Sequence, residues 1–558
     1  MRRRQFLPVV LGLLACLAAV PSAQADSRGR ADVRLNELQE LPDGGPARCN
    51  PVNAPRRCRS DRLEPGRAAT PAADAYGELP LGPRQLEETR TTRWIAPGVV
   101  QTRIVRGAPD PRDAWTVDVA VQPSRREARV VADRLGALGH SARIERIGPR
   151  AQDDPQRGPL GFRIRVGSFA TQAQADALRA RLVSEGFVSP RSVFEGEDGE
   201  RTTGPWVVNV LEVAPGLAAP ALATQVVPGR ETLTALAARR PALAAINGGY
   251  FVIGAANGTD GDLAGIYAEG GELISEAVNG RTSLLLPRRG AARVGELSTT
   301  LRLRAADGAQ RELDGLNRAP GLIRGCGGTG GDLPTEEPKH DFTCTDGGEV
   351  IRFEPVFGAA TEPGPGFEVV LDADDTVVAV RPARGGPIPP DGAVLAGTGD
   401  GADWLRAHAV PGSRVAMRET VSAQRGALAL GRVGIVNGGP RLLRGGAIDI
   451  PAFAEGFHYP EDPGFLYRFG LRRNPRTLAG VRPDGRLLLV TVDGRAPGHS
   501  VGASFAESAA LLRALGARDA VNLDGGGSTA MTVGSTLLTR PSDATGERPI
   551  ADAIVVGP

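Results

Sequence analysis

Residues 112–196 contain a repeat at an offset of 47, and no other feature constrains the fold of this chain as tightly. Trp115, Val117 and Val119 are matched by Phe162, Ile164 and Val166. Each trio alternates apolar with polar positions, the period of a half-buried strand. Ser124-x-x-Glu127 is then matched by Thr171-x-x-Gln174, and both are capping boxes that open helices. Ala128, Val131 and Leu135, matched by Ala175, Leu178 and Leu182, lay one apolar face along each helix. Gly139 and Gly186 stop the helices, and another strand-like stretch follows each. Two strand–helix–strand halves predict a small βαββαβ, ferredoxin-like domain with both helices on one face of its sheet.

This unit resembles the SPOR domain, on the repeat and on Arg163, Val166, Gly167, Ser168 and Phe169, which match that family's "vqvGsF" core. The resemblance implies binding to peptidoglycan glycan strands, with Arg163, Gly167, Ser168 and Phe169 as contacts. The alternative is a packing module without a ligand.

The N-terminus reads as an export signal. Arg2, Arg3 and Arg4 precede an apolar run from Phe6 to Val20, and Ala23-Gln24-Ala25 supplies a cleavage site. Residues 1–25 are thus expected to be removed, taking the net charge from +2 to about −1. Arg3-Arg4-Gln5-Phe6-Leu7 resembles a twin-arginine signal, and processing as a lipoprotein at Cys16 is a second option. No other segment is apolar enough to span a bilayer. The near-neutral balance gives no footprint for nucleic acid. Residues 26–90, rich in Pro, Arg, Asp and Gly, read as an irregular extension. Four cysteines would remain after cleavage, in two sequence-local pairs, so Cys49–Cys58 and Cys326–Cys344 disulfides are expected in an oxidising compartment. No C-x-x-C or histidine cluster suggests a metal site, and no cofactor is expected. Lys339 is the only lysine, which disfavours Schiff-base chemistry and leaves anions to arginine forks.

From about 204 to 556, with residues 91–111 as its expected first segment, short apolar runs alternate with Asn-Gly, Asp-Gly and Gly-Gly turns. The chain as a whole reads as α+β: a β-rich, mixed-sheet larger domain with few helices, plus the inserted module. One clear helix runs from a Ser504 cap to Leu515, stopped by Gly516. It separates a buried strand, Leu487–Val492, from a second, Ala520–Leu523. The first ends in Asp493-Gly494-Arg495 and the second in Asp524-Gly525-Gly526-Gly527-Ser528-Thr529. Strands flanking a helix are expected to lie adjacent, with a parallel pairing as one option, placing Asp493 and Asp524 at one sheet edge. Either Asp-Gly sequence is also a common turn. Three glycines between apolar strands weaken a sheet, however, and call for a close contact.

The series Arg476-Thr477, Val492-Asp-Gly-Arg495, Gly498-His499-Ser500-Val501-Gly502 and Asn522-Leu-Asp-Gly-Gly-Gly-Ser-Thr529 resembles the phosphodiester glycosidase family, that of N-acetylglucosamine-1-phosphodiester α-N-acetylglucosaminidase. Asn247-Gly248-Gly249-Tyr250-Phe251, Gly280-Arg281-Thr282-Ser283, Asn437 to Leu442 and Glu547-Arg548-Pro549 extend the match. Tyr250 stands where the family often has Phe. The resemblance implies hydrolysis of a sugar-1-phosphodiester at the anomeric carbon, in an exported protein acting on cell-wall glycan or exopolysaccharide. Carboxylates suit an oxocarbenium-like centre, and Asp493 and Asp524 are the candidates. Arg476, Arg495 and Arg548 suit a phosphate leaving group. Asn247, Gly248, Asn522, Gly525, Gly526, Ser528 and Thr529 are candidates for binding substrate, and His499 for binding or acid catalysis. Two other readings stay open. One is a non-catalytic wall-binding protein. The other is a serine esterase using Ser500, although residues 493–498 separate that serine from the strand a nucleophile elbow requires.

Overall fold

The computed structural model describes residues 76–199, 201–324, 333–334, 343–424, 426–458 and 462–557. The signal segment, most of the N-terminal extension and both expected disulfides fall outside the described residues. The chain is α+β and rich in strands.

One sheet organises the larger part. Among the described residues its strands run in the order Glu88–Ala96, Val99–Arg106, Trp206–Val213, Leu487–Val492, Arg476–Val481, Asp519–Asn522, Arg441–Arg444 and Ala447–Ile448. The chain thus leaves this sheet after Arg106, builds the repeat module, and returns at Trp206 to pair with the strand it left. Alternation along the strands divides the side chains between two cores. Leu211, Ala479, Leu489 and Val521 pack against a second sheet carrying Ile246, Met531 and Ile554. Trp206, Val208, Leu478, Leu488 and Val490 pack under the Phe505–Ala514 helix through Leu511 and Leu512. That helix is closed by a Ser504–Glu507 capping box. Residues 267–437 carry further, mostly antiparallel sheets around a separate core.

The module forms the expected four-stranded sheet, with Ala142–Ile147, Gly161–Phe169, Trp115–Gln122 and Arg191–Phe194 in that order and every pairing antiparallel. Its helices, Arg125–Ala137 and Gln172–Ser184, each begin at a capping box. They cover the face of Val117, Val119, Ile164 and Val166. The opposite face is charged and is not left to solvent. Tyr467, from the turn Tyr467–Leu471 of the larger part, inserts its hydroxyl among the module's polar groups. It lies 2.9 Å from Asp198 and 3.1 Å from Asp118, and accepts hydrogen bonds from Arg163 Nη1 (2.8 Å) and Arg165 Nη2 (3.1 Å). Arg165 also binds Asp118 at 2.6 Å and pairs with Asp198. Burial opposes ionisation of Asp198, yet Arg165, Arg472 and Arg163 hold its carboxyl down at about 2. A second clamp lies alongside, where Asp153 accepts from the Phe453 and Ala454 N–H groups at 3.0 and 2.8 Å.

Removing the Tyr467 hydroxyl strips a shared partner from four buried charged groups. Tyr467→Phe should lower stability by about 1–3 kcal/mol in urea unfolding followed by tryptophan fluorescence. An unchanged midpoint would show that the docking does not depend on this hydroxyl.

Candidate active site

The Arg476–Val481 strand lies between the Leu487–Val492 and Asp519–Asn522 strands and runs antiparallel to both. The two outer strands are therefore parallel in direction without being neighbours. This corrects the expectation of adjacency. A tight turn, closed by Arg482 N–H to Arg486 O at 2.9 Å, folds Arg476–Val481 back onto Leu487–Val492 and fills the place beside it. The helix must cross over this strand to reach the next position. Asp493 and Asp524 still leave their strands toward the same end of the sheet, one strand apart.

Their surroundings differ. Asp493 is only 1% exposed. Its Oδ2 faces His499 Nε2 at 2.8 Å and accepts from the Arg540 N–H at 3.2 Å, while Oδ1 has no hydrogen-bond partner among the described residues. The partly exposed His499 thus stands on a fixed carboxylate. Asp524 is half-buried at the start of the glycine loop. Its Oδ1 accepts from the Gly525 N–H at 2.9 Å, and its own N–H donates to Gly248 O at 3.2 Å.

Both asparagines hold the scaffold. Asn247 donates to Asp524 O at 2.7 Å and accepts from Thr477 Oγ1 at 2.7 Å and the Ala530 N–H at 3.1 Å. Thr529 Oγ1 lies 3.4 Å from the same threonine hydroxyl. Asn522 donates to the Tyr250 hydroxyl at 2.7 Å and Gly439 O at 3.0 Å.

The glycine loop is covered by arginines, which explains its composition. A Cβ on Gly527 would lie 2.1 Å from Arg548 Nη2, and one on Gly526 would meet the Arg495 guanidinium at 3.4 Å. Arg548 grips Asp543 at 2.7 and 3.0 Å and reaches Ser528 Oγ at 3.5 Å. Arg495 has no carboxylate partner among the described residues. Its guanidinium is held by Asn474 Oδ1 at 2.9 and 3.3 Å. Its backbone sits at φ +52°, a left-handed conformation that costs a non-glycine residue energy and gathers at functional sites. Burial pushes its pKa down, against the opposite charge of Glu197 and with a smaller push from the like charge of Arg548. Arg476 takes a different place from the other two. It is buried, donates to Ala503 O at 2.8 Å and lies over the Phe505 ring at 4.5 Å, and burial lowers it to about 9. Ser500 is fully buried, donating to Asp493 O at 2.5 Å and accepting from the Val207 N–H at 3.1 Å.

A third carboxylate, Asp552, was not picked out by sequence reasoning. It heads the Asp552–Val556 strand, is 1% exposed, and accepts from the Gly249 N–H at 3.0 and 3.1 Å. A Cβ on Gly248 would fall 2.2 Å from its Oδ2. Burial, and to a lesser degree the charges of Asp524 and Glu269, raise it to about 7. The available signal was an acid opening an otherwise apolar strand, Ala551-Asp552-Ala553-Ile554-Val555-Val556.

These features coincide with known families. The phosphodiester glycosidase family model matches residues 366–557, and the SPOR domain matches 111–190 and 158–200. The chain is 34% identical to a candidate exported protein of Burkholderia pseudomallei whose structure is known, covering 86% of this chain and 98% of that one at a TM-score of 0.78. A hypothetical protein of Synechocystis shares the fold at 18% identity and a TM-score of 0.50, covering 84% of this chain and 79% of that one. The catalytic domain of zebrafish N-acetylglucosamine-1-phosphodiester alpha-N-acetylglucosaminidase, auto-inhibited by its pro-peptide, aligns loosely at 16% identity and a TM-score of 0.31, over 63% of this chain and 78% of that one. No curated protein matches the chain significantly. A phosphodiester glycosidase domain and a SPOR domain are thus both present in the chain.

Asp552 yields a pH prediction. Its folded pKa of about 7 lies above the unfolded carboxylate value, so the native state holds a proton that the unfolded chain releases. Its contribution to stability is full below about pH 4 and is lost as pH rises to about 7. Asp552→Asn should remove that slope. The difference in melting temperature, variant minus wild type, should grow in the variant's favour from pH 4 to 7 and then level off. A difference independent of pH would refute the assignment.

Proposed function

We propose that this protein is an exported hydrolase that cleaves a sugar-1-phosphodiester at the anomeric carbon, directed to cell-wall glycan by its SPOR module. The observation that carries this reading is Arg495, whose backbone is strained and whose guanidinium has no carboxylate partner among the described residues, lying over the glycine loop that follows Asp524. A phosphate leaving group needs cations more than a strong acid, because its ester oxygen departs already stabilised. Arg495 and Arg548 supply them. Asp524 faces the sugar, stabilising positive charge at the anomeric carbon or directing water to it. His499, oriented by Asp493, moves the proton of that water. The C1–O bond breaks, the hydroxyl joins C1, and free sugar and a phosphomonoester leave. Asn247, Gly248, Asn522, Gly525, Gly526, Ser528 and Thr529 shape the loop that presents Asp524, and buried Arg476 supports the rim from below.

The esterase reading requires Ser500 to reach solvent and a base, whereas its hydroxyl is enclosed between two backbone groups. The non-catalytic reading gains nothing from an Arg495 that makes no direct carboxylate contact among the described residues. For the module, Arg163, Gly167, Ser168 and Phe169 remain proposed glycan contacts. Ser168 is exposed, and Arg163 is engaged by Tyr467 and Glu145.

The test is release of free sugar and phosphomonoester from a panel of sugar-1-phosphodiesters. Asp524→Asn should reduce kcat/KM by about 10²–10⁴-fold, the scale of a positioned acid or base. Arg495→Ala should cost about 10²–10³-fold, like other groups that stabilise transition-state charge. Ser500→Ala should keep its chemistry and lose only stability. Absence of turnover on every member of the panel, or unimpaired turnover in Asp524→Asn, would defeat the proposal.

A further inference from the structure

Between the docked module and the larger part lies a groove of about 960 Å³. It is lined by Trp115, Phe194 and Arg191 of the module and by Asn474, Arg495 and Ser542 of the larger part. Module and active site therefore share one continuous concave surface.

The charges along it are unbalanced. Asp118 and Glu197 line the groove, but Arg165 holds the first and Arg472 the second. Arg468, on the opposite wall, makes only a 3.4 Å contact with the exposed Asp462. Arg191 at one end and Arg495 at the other have no carboxylate partner among the described residues. Burial and then the like charges of Arg468 and Arg472 lower the pKa of Arg191, outweighing the opposite charges of Asp118 and Asp462. An incoming anion relieves that repulsion. Three residues further along the same strand pair, the Trp115 and Phe194 rings stand 5.5 Å apart and tilted. Such rings offer apolar faces to the C–H faces of pyranoses. Cationic groups and aromatic faces lining one groove suit a chain of sugars that also carries negative charge.

We propose that the groove is an extended subsite for a phosphodiester-bearing glycan polymer, with module residues gripping the polymer away from the bond that is cut. This rests on the reading that cleavage occurs between Asp524 and Arg495. The module then acts as a fixed wall of the binding cleft rather than as a tethered anchor. Its recognition energy comes from parts of the substrate that do not react.

The test uses the full chain carrying Asp524→Asn, to prevent turnover, with labelled phosphomannan and neutral mannan as probes. Phosphomannan should bind at least about tenfold more tightly than mannan. Adding Trp115→Ala and Arg191→Ala should weaken phosphomannan binding by about tenfold or more, and Arg191→Glu should weaken it further. In the otherwise wild-type protein, the Trp115→Ala/Arg191→Ala pair should leave kcat/KM on a small sugar-1-phosphodiester unchanged. Equal affinity for the two polymers, unaltered phosphomannan binding in the groove variants, or equal losses on polymer and small substrate would overturn the proposal. Groove-dependent binding without hydrolysis of any small substrate would sustain it and reject the hydrolase reading instead.

Discussion

A single antiparallel strand, Arg476–Val481, sets the geometry on which the site depends. Interposed between Leu487–Val492 and Asp519–Asn522, it makes those strands parallel in direction and sends the segments after both to one rim. Asp493 and Asp524 come together because of that placement, although 31 positions separate them in the chain. The strand also brings Thr477 to the rim, where it anchors Asn247 and, through it, the carbonyl of Asp524. The backbone that carries the Asp524 carboxylate is thus fastened from beneath by a threonine and an asparagine. The loop's own glycines make room for two arginines above.

Electrostatics divides the labour among the arginines. Arg548 is neutralised by Asp543, and Arg476 is dispersed over carbonyls and aromatic faces. Arg495 keeps its charge for something outside the described protein atoms. Around Tyr467 the arrangement is the reverse, with each buried charge of the module facing an opposite charge or a hydroxyl. Burying ions is costly unless every partner is in place, and an interface built in this way tolerates one seating far better than its neighbours. That fixed seating allows a module wall to continue an active-site cleft.

Much of this was legible from residue order. The offset repeat and its two capping boxes give the module's strands and helices, because local periodicity and capping decide those elements. The Asp-Gly-Gly-Gly sequence marks the loop, because nothing else explains three glycines between apolar strands. Strand adjacency was not legible, since a helix connecting two parallel strands looks the same whether or not a third strand fills the gap. Asn247 and Asn522 look like ligand groups in sequence, yet tertiary packing turns both toward backbone carbonyls and hydroxyls. Asp552 was missed because its environment is built by Gly248 and Gly249, some 300 positions away. Tyr467 was missed for the same reason, its partners Asp118, Arg163, Arg165 and Asp198 all lying in the module.

The central claim is that one rim holds both the sugar and its phosphate. A crystal structure of the protein with a non-hydrolysable sugar-1-phosphonate tests it directly. The account predicts the phosphonate oxygens within hydrogen-bonding distance of Arg495 and the anomeric carbon facing Asp524, with His499 on the same side. A ligand bound elsewhere, or held at this rim without contact to Arg495 and Asp524, would contradict it.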